Sequence, residues 1–144
     1  MTGAIARTSN ATAAANGDVV TALANLVGVP VMLPYAIPES TWQYGSSTAV
    51  TGTSDVVVKA AAAAGIRNYM TGLQYHNTSA TASVIVVKDG STVIWASMAP
   101  ASMAKPAFMA FPVPLRGTAA TAMNVAMLTT ATNTFVAAQG FIAP

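Results

Sequence analysis

The side chains able to do acid–base or metal chemistry are few and widely spaced. His76 is the one histidine, and the four carboxylates are Asp18, Glu39, Asp55 and Asp89. A metal centre needs three or four converging ligands, and around His76 the chain offers no second histidine, no nearby acid and no cysteine. The lack of cysteine also removes disulfides, thiolate zinc sites and thiol nucleophiles. The reading for His76, just before Asn77-Thr78, is a turn residue that is exposed or hydrogen-bonded to backbone. General acid–base catalysis needs two groups within reach of one proton, and nothing in the spacing of the four acids pairs them. Gly-x-Ser-x-Gly, His-Glu-x-x-His and glycine-rich phosphate loops are absent. No catalytic, metal or cofactor residue is predicted, and the chain does not read as an enzyme.

The cations Arg7, Lys59, Arg67, Lys88, Lys105 and Arg116 are isolated singles in a chain of net charge +2. Nucleic-acid affinity comes largely from counterion release by clustered basic groups, and no basic–aromatic interleaving occurs here. Nucleic acid is therefore not an expected partner. Arg67 and Arg116 each sit beside strand residues in a neutral stretch, where they could pair with an acid on a neighbouring molecule.

Only 7% of the 144 residues are charged, against 53% apolar. Ordinary domains carry about 25% charged residues. The gap is filled by small and hydroxylic residues, with 31 Ala and 18 Thr. Disordered chains are poor in apolar residues, so disorder does not explain the composition. A small protein that stays alone in water usually keeps charge on its surface. This composition instead predicts a surface largely covered by other subunits.

Residues 19–38 carry no charge for twenty positions, the length of a membrane-spanning helix. Pro30, Pro34 and Pro38 argue against one, since each costs about 3 kcal/mol in a helix interior. Residues 1–16 lack the charged-then-apolar layout of a secretory leader. No membrane partner is expected.

The elements that must position these residues read as strands. Residues 1–17 are small and polar, and Val19, Val20, Leu23 and Leu26 could share one face of a short element. The segment from Gly28 to Tyr44 has a proline at nearly every fourth position, which favours extended backbone. Its large side chains, among them Tyr35, Trp42 and Tyr44, make it an apolar strap that must lie against something. Gly45–Ser54 is rich in Gly, Ser and Thr, so the organisation expected is an N-terminal arm over residues 1–50 and a β domain over 51–144.

Within that domain Val56–Val58 is a short strand, and Ile66–Tyr75 alternates Ile66, Asn68, Met70 and Gly72 against Arg67, Tyr69, Thr71, Leu73 and Tyr75. The strongest local signal is Ser83–Ala96. Asp89-Gly90 is a favoured two-residue hairpin turn, which sets Lys88 opposite Ser91, Val86 opposite Val93 and Val84 opposite Trp95. Both faces of that hairpin are then mostly apolar, and a strand buried on one side should alternate. The hairpin is expected to be central and covered on both faces, by its own core and by the strap or a neighbouring subunit, with Trp95 buried. Pro112 and Pro114 confine Phe108–Val113 to an edge or a strand end. Met123, Val125 and Met127 share a face, and Phe135 and Phe141 lie on one side of the last strand. Short strands at such spacing predict an all-β protein, a β-sandwich or jelly roll, with an extended proline-containing N-terminal arm.

Several segments carry a resemblance: Gly65–Thr71 (Gly-Ile-Arg-Asn-Tyr-Met-Thr), the Lys88–Trp95 hairpin, Pro114–Thr118 (Pro-Leu-Arg-Gly-Thr), Gln139-Gly140, and the strap followed by Glu39-Ser40-Thr41-Trp42. In these the chain resembles a family of short β-rich virion proteins of tailed bacteriophages and prophages. The resemblance covers most of the chain and rests on structural rather than catalytic residues. It implies a particle component on the phage head, such as a capsid decoration (cement) protein, standing as a homotrimer on the major capsid protein.

The composition points the same way, towards permanent contacts. Trp and Tyr are enriched among interface hot spots, so Tyr35, Trp42 and Tyr44 are the expected anchors of the strap on a partner, with Arg67 and Arg116 beside them. Two rivals remain at this stage. One is a tail, fibre or neck component of the same fold. The other is a carbohydrate-binding module, which would need Trp42 or Trp95 exposed as a platform.

Overall fold

The computed structural model describes residues 40–144 and, before them, the backbone of Ile5–Ala6 and Leu23–Ala24. The strap residues from Gly28 to Glu39, Tyr35 among them, lie outside the described residues, as do Arg7 and Asp18. Contacts divide the chain into residues 1–37 and 38–144. In the first unit β1 (Ile5–Ala6) pairs in parallel with β2 (Leu23–Ala24).

The second unit holds eight strands. These are β3 (Thr41–Gly45), β4 (Val56–Lys59), β5 (Arg67–Asn77), β6 (Ser83–Asp89), β7 (Thr92–Ala99), β8 (Ala107–Arg116), β9 (Met123–Met127) and β10 (Thr134–Ala143). They form two four-stranded antiparallel sheets, ordered β3-β10-β5-β8 and β4-β9-β6-β7. The protein is all-β. Only the β6–β7 hairpin stays within one sheet; every other connection from β3 to β10 crosses to the opposite one.

Alternation decides which side chains meet in the middle. Trp42, Met70, Leu73, Tyr75, Val136 and Ala138 from the first sheet join Val58, Ile85, Val87, Met123, Val125 and Met127 from the second in one buried cluster. Met70, Met123 and Met127 are fully buried, where an unbranched thioether fills irregular gaps. Tyr75 clasps the two sheets together. Its hydroxyl lies 3.1 Å from the Ser97 hydroxyl and donates to the Met98 carbonyl at 3.0 Å, both on β7.

Buried asparagines hold the two ends of β5. Asn68 Nδ2 donates to the carbonyls of Ala60 and Thr121. Asn77 Nδ2 donates to those of Thr81 and Pro100 while its Oδ1 accepts from Ser79. Their amides supply the partners that loop carbonyls need once water is excluded.

Four expectations are corrected. First, the arm does not run to residue 50. β3 pairs with β10 across Thr41–Gly45, and Val50 bridges Thr134, so the arm–domain boundary moves to the junction of Ile37 and Pro38. Second, the hairpin turns on Gly90-Ser91, with Asp89 opposite Thr92 and Lys88 opposite Val93. Asp89 is held in the strand because its Oδ2 accepts from the Thr118 amide and hydroxyl at 2.9 and 2.6 Å. Gly90 then takes the first turn position at φ +59°, the place where a type II′ turn requires glycine. A bulge at Val87/Lys88 brings Val87 opposite Trp95.

Third, the hairpin is not wholly central, because β7 is an edge strand. Its outward residues are exposed, and Trp95 is half-buried against the core rather than fully covered. Fourth, the alternation along β5 breaks at Thr71. A bulge there, seen against both neighbours, moves Leu73 and Tyr75 onto the inward face of Met70. The proline reading of β8 agrees with its place at the edge of the first sheet.

Candidate interaction surface

Strand pairing builds the outer face of the β4-β9-β6-β7 sheet row by row. Val57, Asn124, Lys88 and Val93 lie side by side; next come Ala126, Val86 and Ala96; then Val84 and Met98. Leu128 continues the last row, its amide donating to the Val84 carbonyl at 2.9 Å. A solvated sheet face would alternate polar residues here, yet this one is mostly aliphatic. Val57, Val93, Met98 and Leu128 are 52, 49, 58 and 56% exposed, around Val86 and Ala126 at 1 and 0%. Lys88 is neutralised by Asp55, with Nζ 2.6 Å from Oδ1. Contiguous exposed apolar area of this kind marks interaction sites.

The expected anchors fare differently. Tyr35 lies outside the described residues. Trp42 is buried in its own domain at 7% exposure, with its indole Nε1 donating to the Phe141 carbonyl at 3.2 Å. It is therefore a core residue and not a free anchor, because β3 is a sheet strand. Tyr44 is half-buried and packs on the same core. Arg67 donates from Nη1 to the Gly117 carbonyl at 3.4 Å, a contact within its own chain. Arg116, paired across from Tyr69, is exposed. The four described residues, Trp42, Tyr44, Arg67 and Arg116, are not gathered into one site.

His76 is half-buried, its Nε2 lying 2.8 Å from the Met103 carbonyl. Among the described residues no three His, Cys, Asp or Glu side chains come together, and no helix is long and apolar enough to cross a membrane. The aromatic platform that a carbohydrate module would build on Trp42 or Trp95 is not formed, since Trp42 is buried and Trp95 packs on the core, edge-on to Phe111 at 5.4 Å. No protein-family model, curated protein or solved structure matches this chain.

Sequence reasoning anticipated a two-sided apolar hairpin but not which residues form the outer array. Its signal was the joint parity of Val84, Val86, Ala96 and Met98, readable only once the turn was set on Gly90-Ser91.

Proposed function

We propose that this protein is a non-catalytic structural component of a phage virion, a head-decorating (cement) module that assembles as a homotrimer and binds the major capsid protein. The observation that carries this reading is the outer face of the β4-β9-β6-β7 sheet, where four large aliphatic side chains stand about half exposed around a buried centre. Covering what remains of each recovers roughly 1 kcal/mol, since full burial of such a side chain is worth about 1.5–3 kcal/mol. One such contact yields about 4 kcal/mol, at the low end of the roughly 4–15 kcal/mol that association costs. A face of this strength suits a protein whose contacts act in parallel, through a closed ring of subunits on a particle lattice.

Two further observations support the reading. The strand order, with β3-β10-β5-β8 in one sheet and β4-β9-β6-β7 in the other, is that expected of an eight-stranded jelly-roll sandwich, an architecture used by viral capsid and lectin domains. Such likeness of fold is an analogy and leaves function to the surfaces. The scarcity of charge, 7% of residues, suits a chain whose surface is covered in service.

Purified phage heads lacking this protein are the test system. The full chain is expected to saturate them at copy numbers in the hundreds, whereas Val93→Asp/Met98→Asp binds far less while keeping its β circular dichroism. Equal binding by the variant, or only a few copies per particle, would overturn the head-decoration reading. A few copies would favour a tail or neck position.

A further inference from the structure

The chain contains three glutamines, Gln43, Gln74 and Gln139, and the fold brings all of them onto the outer face of the other sheet. They come from the adjacent strands β3, β5 and β10, and all three are exposed. Gln43 lies directly across from Gln139, Gln139 across from Gly72, and Gln74 across from Ala137 and Phe108. They share one cavity of about 170 Å³ with Gly72, Ala137 and Phe108. A second cavity of about 270 Å³ adjoins it at Gln74 and Ala137 and is bordered by His76 and Phe135.

From these features we infer that the outer face of the β3-β10-β5-β8 sheet binds a neutral oligosaccharide. None of the three carboxamides has a hydrogen-bond partner among the described residues, so their donors and acceptors are free for a ligand. Each carboxamide presents both an N–H donor pair and a carbonyl acceptor, which matches sugar hydroxyls that donate and accept at once. The residues bordering the two cavities include no Lys, Arg, Asp or Glu, which disfavours a charged ligand.

Aromatic rings stand at both ends of the amide row. Phe135 and the half-buried His76 lie at one end, and at the other the half-buried Tyr69, which stacks at 4.8 Å and 6° on Phe141, itself buried at 7% exposure. Phe108, 60% exposed, forms a side wall. Aromatic faces with a few placed polar groups are the usual composition of a small-molecule site, and a ring's electron-rich face suits the C–H face of a pyranose. Phe135 and Phe141 are six residues apart on β10, roughly 20 Å at the rise of an extended strand. That length favours a chain of rings over a compact ligand.

Gly72 lets two of these side chains come close. A Cβ there would sit 3.3 Å from the Gln139 amide and from the Phe108 ring, so both side chains close over the glycine's bare backbone. The Thr71 bulge is what turns Gly72 outward at this point, in line with Gln139. The site uses the sheet opposite the aliphatic face and does not depend on the assembly reading.

The test is a titration of the isotopically labelled full chain with neutral hexasaccharides of glucose, mannose, galactose and xylose, read from the side-chain amide signals of the three glutamines. At least one sugar is expected to shift those signals saturably. Gln74→Ala/Gln139→Ala, and separately Phe108→Ala, are expected to weaken binding at least tenfold without changing the spectrum elsewhere. Polygalacturonate and a glutamine-rich peptide are the comparison probes, and neither is expected to bind. The assignment is overturned if no neutral sugar shifts the amides, if the variants bind as well as the parent, or if the peptide alone binds. It is also overturned if the double variant lowers the oligomeric state, which would make this face a contact between copies.

Discussion

The indole of Trp42 packs against Gly140, and a Cβ on that glycine would fall 2.7 Å from the ring and 1.9 Å from the Tyr69 carbonyl oxygen. The same indole donates to the carbonyl of Phe141, ninety-nine residues further along the chain. The pair closes the edge where β3 joins β10, and it fixes the first strand of the second unit to its last.

Gly140→Ala should therefore be severely destabilising. Neither the carbonyl nor the packed indole can withdraw, and overpacking typically costs about 1–3 kcal/mol, more where backbone is in the way. A loss of at least about 3 kcal/mol is expected in denaturant unfolding. An unchanged midpoint would mean that Trp42 does not pack on this glycine.

Tyr75→Phe keeps the buried ring and removes the hydroxyl that meets Ser97 and Met98 on the opposite sheet. The Met98 carbonyl then loses a donor, and a single hydrogen bond contributes about 0.5–1.5 kcal/mol. Chemical unfolding should show a loss of about 1 kcal/mol at constant slope, without a change of fold.

Asn77→Ala leaves the carbonyls of Thr81 and Pro100 without their donor and the Ser79 amide without its acceptor. Orphaning buried polar groups costs roughly 1–3 kcal/mol each. The net effect should exceed that of Tyr75→Phe. Amide hydrogen exchange should show the loop over residues 78–82 opening before the core of β5.

The Lys88–Asp55 pair is short but partly solvated, with side chains 17 and 36% exposed. Surface pairs of this kind contribute roughly 0–1 kcal/mol, so Lys88→Met should cost little in stability. The same change extends the aliphatic outer face and should strengthen self-association, which sedimentation velocity at constant ionic strength would detect.

Much of the fold was legible because it is local. Pro112 and Pro114 limited β8 to an edge or a strand end, and the parity of Met123, Val125 and Met127 marked a buried strand. What stayed hidden depends on partners far along the chain. The hairpin register hangs on Asp89 meeting Thr118, and Trp42 looked like an arm residue because the strand it joins is the last in the sequence. The Thr71 bulge leaves no local signature, so a strict alternation put Leu73 and Tyr75 on the wrong face. The glutamines carried no signal at all, since positions 43, 74 and 139 become neighbours only through the strand order.

The central claim is that the aliphatic face of the β4-β9-β6-β7 sheet is covered by other protein in service. Sedimentation equilibrium on the full chain, beside Val93→Asp/Met98→Asp, tests it most directly. The account predicts a parent species near three times the 14.5 kDa chain mass and a folded variant at or near the single-chain mass. A parent that sediments as a single chain at high concentration, or a variant whose mass is unchanged, would contradict it.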